Sequence, residues 1–204
     1  MTNCCNDSAC EIEKLRDRQY GTLKLVLFIN LVMFFVEIIA GILANSTALL
    51  ADSLDMLGDS IVYGFSLYVV AKSVKWKAIS AILKGSIMAI FALFVLGEAI
   101  YKIFNPVVPA YEAIGLIGLL ALLANGTCLL LLWKHKTEDI NMKSVWICSR
   151  NDIIANLSVL IAALGVLLVN HQWPDIVVGV VIALLFMRSS YDVLREAIQI
   201  KSQS

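Results

Sequence analysis

The 204-residue chain is 60% hydrophobic and only 16% charged, against roughly 45 to 50% apolar content in a soluble globular domain, so bulk water is excluded as its main solvent. Sixteen basic residues balance sixteen acidic ones, and the basic residues are scattered through loops and a tail without an aromatic platform, which leaves nucleic acid out as a partner.

A hydrocarbon core about 30 Å thick takes about 20 mostly apolar residues per helical crossing. Six such segments are predicted, at 23–44, 47–71, 78–104, 113–133, 145–170 and 175–187, the last with some extension. Because the residues ahead of the first segment are polar, no cleavable signal peptide is expected there. Residues 1–21 are read as a cytoplasmic tail in which Cys4, Cys5 and Cys10 cluster. They are either a soft-ligand group that captures or senses metal or part of a disordered tail.

On the first helix, Asn30 and Glu37 stand seven apart on one face; they flank an ion path or bond to a neighbouring helix. Asn45 and Ser46 carry turn chemistry and make the first two segments a hairpin. The second helix holds Asp52, Asp55 and Asp59. Carboxylates within a bilayer are costly and mark function by default. Asp55 and Asp59 are i,i+4 and stack on one face, with Asp52 in the same stripe, all within about 11 Å of helix axis. A bound cation or shared protons must neutralise them, unless they cap neighbouring helices or pair with a lysine.

Glu98 falls near the end of the third helix and reads as interfacial; Asn105, Pro106 and Pro109 form the next turn. Cys128 in the fourth helix reads as a small hydrophobe. The fifth helix carries Cys148 and Asp152 at i,i+4 and Asn156 one turn further. A lone cysteine in an apolar helix is more often packing than ligand, and its spacing to Asp152 is what makes Cys148 a candidate. Arg150, two residues from Asp152, does not face it and is expected to snorkel. His135 and His171 are loop residues and are expected to lie outside any core site.

Basic residues set the orientation. Lys14, Arg16 and Arg18, then Lys72, Lys75 and Lys77, then Lys134, Lys136 and Lys143, then Arg188, Arg195 and Lys201 all fall on one side, with Lys102 alone on the other. The positive-inside rule puts both termini in the cytoplasm. The expected architecture is an all-α integral membrane protein of six transmembrane helices in two inverted three-helix halves. It divides into the 1–21 tail, a 22–190 membrane domain and a short cytoplasmic 191–204 tail. With an odd number of cysteines, five, three of them cytoplasmic, no disulfide framework is expected.

Helices two and five run antiparallel in this topology, so Cys148 and Asp152 can meet Asp55 and Asp59 across their interface. Those four groups suit the tetrahedral shell that zinc prefers. A thiolate tilts the set toward zinc or cadmium, and the carboxylates keep cobalt, iron and manganese open. Asp52, Asn156, Glu37, Asn30 and the three N-terminal cysteines are accessory candidates.

Residues 46–59, Ser-Thr-Ala-Leu-Leu-Ala-Asp-Ser-Leu-Asp-Met-Leu-Gly-Asp, resemble the helix-two signature of the cation diffusion facilitator family, in which a His or Asp precedes an Asp by four. Asp55 and Asp59 occupy those positions. Cys148 and Asp152 stand where the family's helix five commonly has His and Asp. The resemblance covers nearly the whole chain and implies six transmembrane helices with a metal site between the second and fifth. Two features depart from it: cysteine replaces the histidine, and there is no cytoplasmic ferredoxin-like domain before Ser204. A homodimer would then be held by membrane helices.

The resemblance implies a secondary transporter exporting divalent cations, zinc foremost with cadmium or cobalt, from the cytoplasm in exchange for protons, in the inner membrane of a bacterium. No catalytic residue or prosthetic group is expected. Two rival readings are a proton-coupled exporter of organic cations, which predicts an aromatic-lined cavity, and an intramembrane metalloenzyme, which needs an open coordination position.

Overall fold

The computed structural model describes residues 4–69, 74–134 and 140–202, with side chains described for most of 20–67, for 82, for 85–134 and for most of 152–195. Among these residues every regular element is a helix: α1 Cys4–Leu43, α2 Thr47–Val69, α3 Val74–Phe104, α4 Tyr111–Trp133, α5 Ile140–Val169 and α6 Trp173–Ser202. Their apolar cores coincide with the expected segments, but several helices extend further into polar sequence. α1 begins at Cys4 and α6 runs to Ser202, so residues 4–21 continue the first helix and are not an irregular tail.

Among the described residues, five stretches are long and apolar enough to cross a bilayer: Tyr20–Leu43, Gly85–Phe104, Tyr111–Trp133, Asp152–Val169 and Trp173–Asp192. Only 28% to 35% of each of these windows is buried inside the protein. Their outer faces carry Phe28, Phe35, Ile39, Leu116, Leu123, Ile161 and Leu168, all exposed, as lipid-facing surfaces require. The segment α2 differs. It holds three aspartates in 23 residues, and residues 46–56 and 58–60 are all buried.

That burial follows from the packing. Helix α1 lies along α2, α3 along α6 and α4 along α5, while α2 also touches α3, α5 and α6. Leu49, Leu50 and Leu54 of α2 form a core with Ala92, Val95, Ile114, Val159, Ala162 and Ala183. Surrounded by protein, α2 can carry polar groups that lipid would reject.

The hairpin turns are built by asparagine. Asn45 has φ 52° and Asn170 φ 48°, the left-handed conformation that asparagine tolerates at a helix C-terminus. Ser46 N–H bonds to Gly41 C=O at 2.9 Å and Asn45 N–H to Ile42 C=O at 3.3 Å, the paired bonds of a Schellman motif. Asn170 N–H bonds to Val166 C=O at 2.8 Å, the simpler single-bond closure.

Ser46 then starts α2. Its Oγ accepts Leu49 N–H at 3.0 Å and donates to Asp175 Oδ1. Asp175 also accepts Ala48 N–H at 3.2 Å. Close by, Lys102 Nζ donates to Thr47 Oγ1 at 3.2 Å and lies 3.9 Å from Glu98. Gln172 ties in the α3–α4 loop, donating to Lys102 C=O at 2.9 Å and accepting Val107 N–H at 2.8 Å. Helices α2, α3 and α6 are thereby pinned together at one end of the bundle.

Candidate metal centre

Asp55 and Asp59 project from α2 toward α5, where Asp152 meets them. One carboxylate oxygen from each can be chosen so that all three lie within 4.8 Å of one another. All three residues are buried, at 9%, 8% and 6% exposure. Ligand oxygens around a tetrahedral zinc with bonds of ~2.1 Å are about 3.4 Å apart, so side-chain rotations would be needed for this group to close on one ion.

The arrangement follows from local sequence. The i,i+4 spacing stacks Asp55 over Asp59, and the next residue in that stripe, Tyr63, is fully buried. Its hydroxyl donates to Asp59 Oδ2 at 2.6 Å, orienting that carboxylate in the way that outer-shell groups hold metal ligands. The sequence reading missed Tyr63, although its place four residues after Asp59 was a usable signal.

Asp52 shares the stripe but has a different partner. Asn156 Nδ2 donates to both of its oxygens, at 3.0 and 2.9 Å, and Asn156 Oδ1 accepts Asn125 Nδ2 at 2.9 Å. An amide chain from α4 through α5 therefore holds Asp52 beside the carboxylate trio. Asn125 is a second residue that sequence reasoning passed over; its signal was a solitary amide in the apolar run of α4.

On α1, Asn30 and Glu37 are both buried. Asn30 donates to Val26 C=O at 2.9 Å and approaches Cys128 Sγ at 3.7 Å. Cys128 is packed in an apolar cluster with Leu23, Val26, Tyr63 and Leu132, as a small hydrophobe would be. Glu37 interacts electrostatically with Asp52 and Asp55.

Cys148 lies on α5 four residues before Asp152, and its side chain is outside the described residues, as are those of Arg150, Cys4, Cys5 and Cys10. His135 also lies outside them. His171 is an exposed loop residue stacked on Trp173 at 6.3 Å between ring centroids.

Among the described residues the bundle thus presents several buried carboxylates and one buried basic side chain, Lys102, which is engaged with Thr47 and Glu98. Such an interior suits a cation and repels an anion. Residues 23–200 match the cation efflux transmembrane domain. The chain belongs to the cation efflux family. Members of this family are transporters rather than enzymes, and the chain is a multi-pass protein of a bacterial inner membrane.

It is 26% identical to the cadmium, cobalt and zinc/H(+)-K(+) antiporter of Bacillus subtilis strain 168, over 88% of this chain and 64% of that protein. It is 27% identical to the zinc transporter ZitB of Yersinia pestis, over 85% of this chain and 60% of the relative. With the metal cation efflux system protein CzcD of Cupriavidus metallidurans it shares 21% identity, over 87% and 62%. The chain spans less than two thirds of the length of these relatives.

Proposed function

We propose that this chain carries divalent metal cations out of the cytoplasm in exchange for protons, with zinc the foremost cargo and cadmium and cobalt further ones. The observation that carries the reading is the convergence of Asp55, Asp59 and Asp152, from two separate helices, within 4.8 Å inside a protein whose outer faces are apolar. Cys148, one turn before Asp152, completes the ligand set in this reading, and the N-terminal cysteines Cys4, Cys5 and Cys10 gather metal for loading.

The topology that goes with it has α2 as a sixth crossing and both termini in the cytoplasm. Residues 22–190 form the transport domain between tails at 1–21 and 191–204. Helices α1 to α3 and α4 to α6 then form two halves of opposite orientation, with the ligands on the middle helix of each, an arrangement suited to alternating access about a fixed site. Ligand groups must be deprotonated to hold a metal. Loading an ion therefore displaces protons, and returning protons expel it, which couples the two fluxes without further machinery.

Names given to the relatives, a cadmium, cobalt and zinc antiporter and a zinc transporter, support cargo of this class. The test is zinc uptake into vesicles holding the purified chain and a zinc-sensitive dye. Uptake should follow an imposed pH gradient and vanish in Asp55→Ala; uptake indifferent to the gradient would refute the exchange.

A further inference from the structure

Glu37 on α1 is completely buried, and neither of its carboxylate oxygens has a hydrogen-bond partner among the described residues. A buried acid with nothing donating to it is rare in folded proteins and calls for a reason. It stands on the face of α1 that carries Met33 and Phe34 into a cluster with Met56 of α2, and the charged groups near enough to act on it are Asp52 and Asp55 of that helix. Asp52 is equally buried and is fixed by two donations from Asn156, whose other amide atom is held by Asn125. Asp52 is therefore held in place from α4 and α5, next to an α1 acid that no donor engages.

Glu37, Asp52, Asp55, Asp59 and Asp152 make five buried carboxyl groups; a single dication offsets two negative charges, so protons or a further cation must balance the rest. The buried cation of the described residues, Lys102, is engaged with Thr47 at the α2 N-terminus and with Glu98.

We propose that Glu37 and Asp52 form a second station for a divalent cation, bound through oxygen alone and adjacent to the Asp55, Asp59 and Asp152 centre. The proposal rests on the reading of that centre as the cargo site. Asp52 precedes Asp55 by three residues, about 4.5 Å along the helix axis toward the α2 N-terminus, so the station lies between the centre and the end pinned by Asp175. An ion there repels one at the centre, so that entry of one loosens the hold on the next, as between adjacent sites in a conduction path. Its all-oxygen donors favour harder ions than a set including a thiolate does.

Equilibrium dialysis of the purified full chain against Mn2+, with bound metal counted and Mn–Mn dipolar coupling read by electron paramagnetic resonance, tests this. Wild type should bind two coupled ions, and Glu37→Gln one uncoupled ion. Asp152→Asn separates the two readings: it should remove the other ion and leave the Glu37-dependent one in place. Saturation of wild type at one ion, or retention of two coupled ions by folded Glu37→Gln, overturns the station. If Glu37→Gln does not fold, wild-type stoichiometry and coupling decide. Glu37→Asp, which keeps the charge on a shorter stem, should hold the second ion about tenfold more weakly.

Discussion

The carboxylate of Asp175, at the start of α6, accepts the backbone N–H of Thr47, the first residue of α2, at 2.6 Å. Together with its bonds to Ala48 N–H and the Ser46 hydroxyl, this satisfies donors that every helix N-terminus leaves open. The cap comes from 128 residues away and joins the second half of the chain to the first. The dipole of α2 adds to the attraction, since a helix N-terminus favours negative charge.

Asp175→Ala should accordingly lower stability by about 1 to 3 kcal/mol, the cost of leaving buried donors without a partner. Asp175→Asn, which keeps an acceptor without the charge, should fall between. Thermal unfolding of the detergent-solubilised protein measures both; an unchanged midpoint for the alanine variant would refute the capping role.

Gly179 faces the same junction, and a Cβ built on it would lie 2.6 Å from the Thr47 carbonyl carbon. Gly179→Ala should cost about 1 to 3 kcal/mol, as overpacking does, because a rigid backbone stands in the way. The same unfolding measurement checks it, and a variant as stable as wild type would show that α6 can move off α2 freely.

Removing a ligand should weaken zinc binding more than removing a support. Asp55→Ala and Asp152→Ala are expected to lose about hundredfold or more in affinity by calorimetry. Tyr63→Phe deletes only the hydroxyl that orients Asp59 at 2.6 Å and should lose about 10- to 100-fold, with helix content unchanged. Wild-type affinity in Tyr63→Phe would remove that residue from the site.

The sulfur of Cys148 can be probed by ion order. With Cys148→Ser the donors become all oxygen, and binding of cadmium should fall relative to manganese, following ligand softness. Competition dialysis with both metals measures the ratio; an unchanged ratio would mean that the thiol stands outside the shell.

Zinc affinity should fall as pH is lowered, because protons compete for the same ligand atoms. The sign is fixed: acid favours the metal-free form. Calorimetry in two buffers of different ionisation enthalpy should detect protons released on binding, and none released would contradict the exchange.

Much of this organisation was legible in the residues. Apolar runs marked the membrane-crossing cores, because a hydrocarbon slab sets the length of a helix that spans it. Asn45 announced its turn through asparagine's tolerance of the left-handed region. Asp55, Asp59 and Asp152 declared themselves by their cost in an apolar run. Helix ends were harder to see. Hydropathy reports depth in the bilayer, whereas α1 continues back to Cys4 through residues rich in Glu, Lys and Arg, which are good helix formers in water. Asp175 and Tyr63 escaped for another reason. An acid in the first turn of a helix normally serves its own dipole, and a tyrosine in an apolar run normally serves packing. Only tertiary contact shows Asp175 serving α2 and Tyr63 serving Asp59.

The burial of α2 bears on how the protein is made. In the six-crossing topology, three aspartates between the first turns and the middle of one segment oppose its solitary insertion by at most about 8 to 10 kcal/mol on translocon scales, so the translocation machinery would tend to pass α2 by. The tight Asn45 turn offers a remedy, delivering α2 together with strongly apolar α1 as one hairpin. Its acids would then face lipid only until the later helices arrive to enclose them.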